Sequence, residues 1–174
     1  MDKAKSKGMA VKIIVPVLIV CVIATIFIFK NSGGETENPA LNIPLTLTEV
    51  NMEEVTAHGL PVIIDFGADS CIPCKEMAPV LVKLNEEMQG KAVIHFIDVW
   101  KNPEAAQDFP VQVIPTQVFV TADGKPYVPN EDLGITGFTM YSTRDTNEHV
   151  FTVHEGGLTE QQMRLILADM GVAE

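Results

Sequence analysis

Apolar positions along this chain recur with different periods, and each period predicts a different element. Seventeen consecutive residues from Ile13 to Phe29 carry no charge. Met9, Ala10 and Val11 lengthen the span to about 21 across Lys12, enough for a helix that crosses a bilayer and long for a signal-peptide core. No small-x-small cleavage pattern follows Phe29, so the reading is a retained signal anchor over residues 1–30. Residues 31–47 are polar and rich in Gly and Pro, the composition of a linker. Thr48 then offers a cap for a short helix through about Ala57, ending at His58-Gly59. Val62 to Phe66 has strand character and is apolar except at Asp65.

Met77, Val80, Leu81 and Leu84 recur at helical spacing, which predicts a helix over residues 71–88 closed by Gly90. A second apolar strand is expected over 92–99, a short helix over 103–109 and a third strand over 116–121, with a turn at Asp123-Gly124. Residues 149–154 alternate as a strand does, and Thr159 with Gln162 forms a capping box for a last helix to about Met170. The resulting order is helix, strand, helix, strand, helix, strand, strand, helix. It predicts an α/β fold, a mixed central sheet with helices on both faces, over residues 48–174. Residues 125–148 interrupt it. They hold Tyr127, Phe138, Met140 and Tyr141, too apolar for a disordered loop, and are expected to form a β-extension packed on the body or a recognition surface.

Charge sharpens the picture. Of the net −11, residues 1–30 contribute +4 from five lysines against Asp2, which leaves −15 on the remainder. Lysines before the apolar span and acidic residues after it place the N-terminus in the cytoplasm and the body outside, by the positive-inside rule. An acidic body argues against nucleic acid as a partner.

The chemistry gathers at Cys71 and Cys74, at the junction of the first strand and the long helix. The unpaired N–H groups and positive end of a helix favour a thiolate at Cys71, and Pro73 presets a helical dihedral in the first turn. Cys74, one turn in, is the resolving thiol of a disulfide that closes and reopens by thiolate attack. Zinc would need ligands that no second C-x-x-C or C-x-x-H supplies; an inert structural disulfide is the other alternative. Cys21 reads as an inert thiol within the apolar span.

The strand with its internal aspartate, the C-I-P-C pair, Lys75 directly after it, Ala78-Pro79 and the downstream Ile114-Pro115-Thr116 together resemble the thioredoxin family over about residues 48–171. The resemblance implies that Asp65 lies buried behind Cys74 and helps to deprotonate it through water. It implies a cis bond before Pro115, with the Ile114 backbone open to a substrate strand, and a role for Gly156 in letting substrate approach. The family's lysine near that aspartate is missing, its place falling at His95 or Phe96, and Ser70 stands where a tryptophan is common.

The expected function is a membrane-anchored, extracytoplasmic thiol–disulfide oxidoreductase of thioredoxin type. Its direction is reduction of protein or thiol disulfides, with electrons from a membrane thiol carrier and neither organic cofactor nor metal. The alternatives are an oxidase or isomerase of the same fold, or a non-catalytic binding module. Asp69 near Cys71, and no histidine between the cysteines, point to a potential closer to thioredoxin's than to a strong oxidant's.

Overall fold

The computed structural model describes residues 42–173. The segment read above as a signal anchor lies outside them. Among the described residues no helix is long and apolar enough to cross a membrane.

Six strands form one sheet: β1 (Thr46–Leu47), β2 (Val62–Gly67), β3 (Val93–Asp98), β4 (Thr116–Val120), β5 (Phe138–Ser142) and β6 (His149–Glu155). Their spatial order is β1-β3-β2-β4-β6-β5, with β1, β3 and β2 parallel and the remaining neighbours antiparallel. The helices are α1 (Met52–Thr56), α2 (Ile72–Glu87) and α3 (Glu160–Asp169), with 3-10 turns at Pro103–Ala106 and Glu131–Leu133.

Successive strand side chains face opposite sides of a sheet, and both faces here are apolar and covered. On one face Ile63, Ile94 and Phe119 pack with Met77, Leu81 and Leu84 of α2 and Met163, Ile166 and Leu167 of α3. On the other, Val62, Ile64, Phe66 and Val118 pack with Val55 of α1 and Ala105 of the first 3-10 turn. Asp65 and Gly67 share the parity of Ile63, so they face α2, and this alternation puts the one carboxylate of β2 on the cysteine side of the sheet.

The elements expected from periodicity are present, except that the helix expected over 103–109 is a 3-10 turn at Pro103–Ala106, and two further differences concern the linker and a cap. Part of the expected linker belongs to the body, because β1 pairs with β3 and Ile43 is buried. The short helix is capped by Asn51, whose side chain accepts from the Glu53 N–H, and not by Thr48. The segment 125–148 supplies β5, which extends the sheet beyond β6, as a packed β-extension would. The capping box at Thr159 and Gln162 is formed in both directions.

Candidate active site

Cys71 is the N-cap of α2, and its sulfur accepts a hydrogen bond from the Cys74 N–H at 3.3 Å. A sulfur in that position sits where the helix leaves its first N–H groups unpaired, so a negative charge on it is stabilised. Pro73 in the first turn withholds an N–H that no intrahelical carbonyl would take. Cys71 and Cys74 are joined by a disulfide with their Cα atoms 5.3 Å apart. Cys71 is partly exposed, whereas Cys74 is 4% exposed. A reaction partner therefore reaches Cys71 before Cys74.

Asp65 lies under the pair at 1% exposure. One carboxylate oxygen, Oδ1, accepts from Gln117 Nε2 at 2.8 Å, while Oδ2 has no hydrogen-bond partner in the protein. Burial pushes the carboxyl up to about 7, partly offset by the Gln117 hydrogen bond. A carboxylate of that affinity is matched to taking a proton from a thiol near neutral pH. Gly67 provides the space between them: a Cβ there would lie 3.3 Å from both Asp65 Oδ2 and Cys74 Sγ, and 2.9 Å from the Phe96 ring. A cleft of about 240 Å³ between Leu45, Ala68, Cys74 and Phe96 opens behind the buried sulfur.

The Ile114–Pro115 bond is cis. The Ile114 carbonyl oxygen is 3.9 Å from Cys71 Sγ, so the backbone before the cis bond runs beside the more exposed sulfur. Gly156 N–H donates to the Pro115 carbonyl at 2.8 Å, at a φ of +102° that suits glycine. The structure thus brings Cys71, Cys74, Asp65, Ile114, Pro115 and Gly156 to one end of the sheet. Ile72, between the cysteines, is 72% exposed, and Trp100, on the loop after β3, is 64% exposed.

That loop changes one expectation. Asp69 forms an ion pair with Lys101, so its charge does not act on Cys71 uncompensated. Asp98 holds the arrangement: it accepts from the backbone N–H groups of Asp69, Trp100 and Lys101. Burial works to raise the Asp98 carboxyl, but those donors together hold it below the ordinary value.

The place of the missing lysine is settled by register. Phe96 stands opposite Asp65, whereas His95 points away and contacts the Pro44 carbonyl through Nδ1 at 2.8 Å. Two residues at the site escaped sequence reasoning. Gln117, fully buried, holds Asp65, and His154 Nδ1 lies 3.1 Å from Gln117 Oε1. The signal was weak, because β4 also carries Thr116 and β6 also carries His149, Thr152 and Glu155, so neither residue stands out from its strand. Among the described residues no cluster of His, Cys, Asp and Glu is arranged to hold a metal ion.

Comparison with known proteins agrees with this geometry. The family model for thioredoxin matches residues 44–133. Thioredoxin of Alicyclobacillus acidocaldarius is 35% identical over 95 residues, covering 51% of this chain and 90% of that protein. Thioredoxin of Staphylococcus haemolyticus is 40% identical over 93 residues, covering 50% and 88%. Among solved structures, chloroplastic thioredoxin z superposes with a TM-score of 0.50 at 22% identity, over 72% of this chain and 92% of that one. At such identity the likeness speaks to the fold. A partly exposed capping cysteine, a buried partner and a carboxylate behind it are the parts of a dithiol–disulfide couple, and the chain belongs to the thioredoxin family as a thiol–disulfide oxidoreductase.

Proposed function

We propose that this protein reduces disulfides of protein or thiol substrates outside the cytoplasm, tethered by the apolar N-terminal span and re-reduced by a membrane thiol carrier. In the reduced protein the Cys71 thiolate attacks a substrate disulfide, forming a mixed disulfide and releasing the first substrate thiolate. Asp65 takes the proton of the Cys74 thiol. The Cys74 thiolate then attacks Cys71 Sγ, closing the Cys71–Cys74 bond and releasing the second thiolate, and the proton leaves Asp65 through water. Two electrons pass from the cysteine pair to the substrate, and no metal or organic cofactor takes part.

The observation that carries the reading is the pairing of an accessible sulfur at the helix start with a buried sulfur facing a carboxyl held at about 7. That arrangement favours fast resolution of a mixed disulfide, the step a reductase must complete. Ile72 and Pro73 between the cysteines add no charge that would stabilise the Cys71 thiolate further, which argues against a strong oxidant. The location is supported by lysines before the span and the acidic residues after it.

Equilibration of the full chain with glutathione redox buffers tests the direction. A potential nearer about −270 mV than about −120 mV is expected, and a value above about −180 mV would turn the assignment to an oxidase or isomerase. Failure to reduce insulin with dithiothreitol as donor would leave a binding module instead.

A further inference from the structure

One rung of the sheet crosses five strands. The register places Phe96 of β3 beside Asp65 of β2, Asp65 beside Gln117 of β4, Gln117 beside His154 of β6, and His154 beside Phe138 of β5. The three central residues are polar, and all three are buried. They form a chain: Gln117 Nε2 lies 2.8 Å from Asp65 Oδ1, His154 Nδ1 lies 3.1 Å from Gln117 Oε1, and His154 Nε2 lies 3.1 Å from the Thr136 carbonyl. Phenyl rings close the rung at both ends, with the Phe138 ring 5.5 Å from the His154 ring and edge-on to it.

The far end of this chain restricts the rest. A backbone carbonyl only accepts, so His154 Nε2 must carry a proton to bond Thr136. If His154 has no second proton, its Nδ1 is an acceptor and Gln117 must turn its amide N–H toward it. The Gln117 oxygen then faces Asp65, which must be protonated to donate. If His154 carries both protons, Nδ1–H donates to Gln117 Oε1, and Gln117 Nε2–H donates to an ionised Asp65. Rotation of one amide separates the two arrangements, and a single proton resides on Asp65 in the first and on His154 in the second. The titrations of the two residues are therefore coupled.

We propose that Gln117 and His154 are positioning residues for thiol–disulfide exchange, a buried chain in which one proton is shared between Asp65 and His154 through rotation of the Gln117 amide, so that the chain sets when Asp65 is ionised and ready for the Cys74 proton. This rests on exchange at Cys71 and Cys74 and not on its direction or location. Other groups facing Asp65 do not fill that part: β3 presents the Phe96 ring, and α2 presents Cys74 and the Met77 thioether. On His154 itself burial is the largest influence and holds the imidazole below its ordinary value, although the Thr136 and Gly156 carbonyls and the Glu155 carboxylate favour the charge, so the shared proton leans toward Asp65. The segment 125–148 gains a task here, because it brings the Thr136 carbonyl to Nε2 and lays Phe138 on the ring.

Nuclear magnetic resonance of the full chain tests the proposal without substrate. The Asp65 side-chain carbon and the His154 ring nitrogens are followed through pH 4–9 in the wild type, Gln117→Leu and His154→Phe, with circular dichroism as a control for folding. In the wild type the His154 nitrogens should step at the pH where Asp65 titrates. In each variant the Asp65 midpoint should rise by about one pH unit, since an ionised carboxyl loses the amide donor or the imidazole that orients it. The pH profile for resolution of a mixed disulfide on Cys71 should move with it. A purely structural role would alter stability and leave the midpoint in place. Unmoved midpoints in both folded variants would overturn the proposal. Should the variants not fold, His154 nitrogens that stay constant through the wild-type Asp65 titration would overturn it as well.

Discussion

Asp65 is the residue on which stability and function pull in opposite directions. A carboxyl held at about 7 when folded, against 3.8 ordinarily, keeps its proton longer in the folded protein than in the unfolded chain. Stability therefore falls as pH rises from about 4 through about 7 and levels off above that, a loss of roughly 4 kcal/mol at most. Asp65→Asn should raise the melting temperature at pH 8, leave it little changed at pH 4, and slow resolution of mixed disulfides; calorimetry at the two pH values checks the first part. Gly67→Ala makes a complementary test. Its Cβ would meet the Phe96 ring at 2.9 Å and crowd both Asp65 and Cys74, so a loss of about 1–3 kcal/mol in chemical denaturation is expected, together with slower reaction of Cys74. Cys71, Cys74, Asp65 and Pro115 were legible in the sequence because their signals are local: a spacing, a strand residue of the wrong polarity, a proline before a strand. Gln117 and His154 were not. Their partners lie 52 and 37 residues away, and only strand register brings them together. The Lys101 ion pair that compensates Asp69 joins residues 32 apart and was hidden for the same reason.

At the scale of elements, long periodic segments were readable and short edges were not. The period of α2 and the capping box of α3 are properties of their own residues, and both are found where the pattern puts them. Thr159→Ala removes the side chain that accepts from the Gln162 N–H. It should cost about 1 kcal/mol in urea unfolding and leave the activity per folded molecule unchanged. By contrast β1 has two residues, too few for any alternation, and exists because β3 offers it a parallel edge. Drawing Thr46 and Leu47 into the sheet moves the start of α1 onward to Asn51, which has equivalent capping chemistry. The strand β5 alternates only weakly, since several of its side chains remain exposed at the sheet edge, and its position beside β6 is a tertiary result.

For the whole molecule, the sequence signal lies in the contrast between a basic N-terminal span and an acidic remainder. If the span holds the body outside, protease added to intact spheroplasts should clip near residues 31–41 and release an active fragment; protection until lysis would reverse the orientation. Central to the account at this scale is the division of labour that the fold imposes on its two sulfurs, one partly exposed at a helix start and one buried beneath it. Trapping of the mixed disulfide measures it most directly. Incubated with a disulfide substrate and read by mass spectrometry, Cys74→Ser should accumulate a covalent adduct at Cys71, while Cys71→Ser should form none. An adduct at Cys74 in Cys71→Ser, at a rate matching the other, would contradict the account.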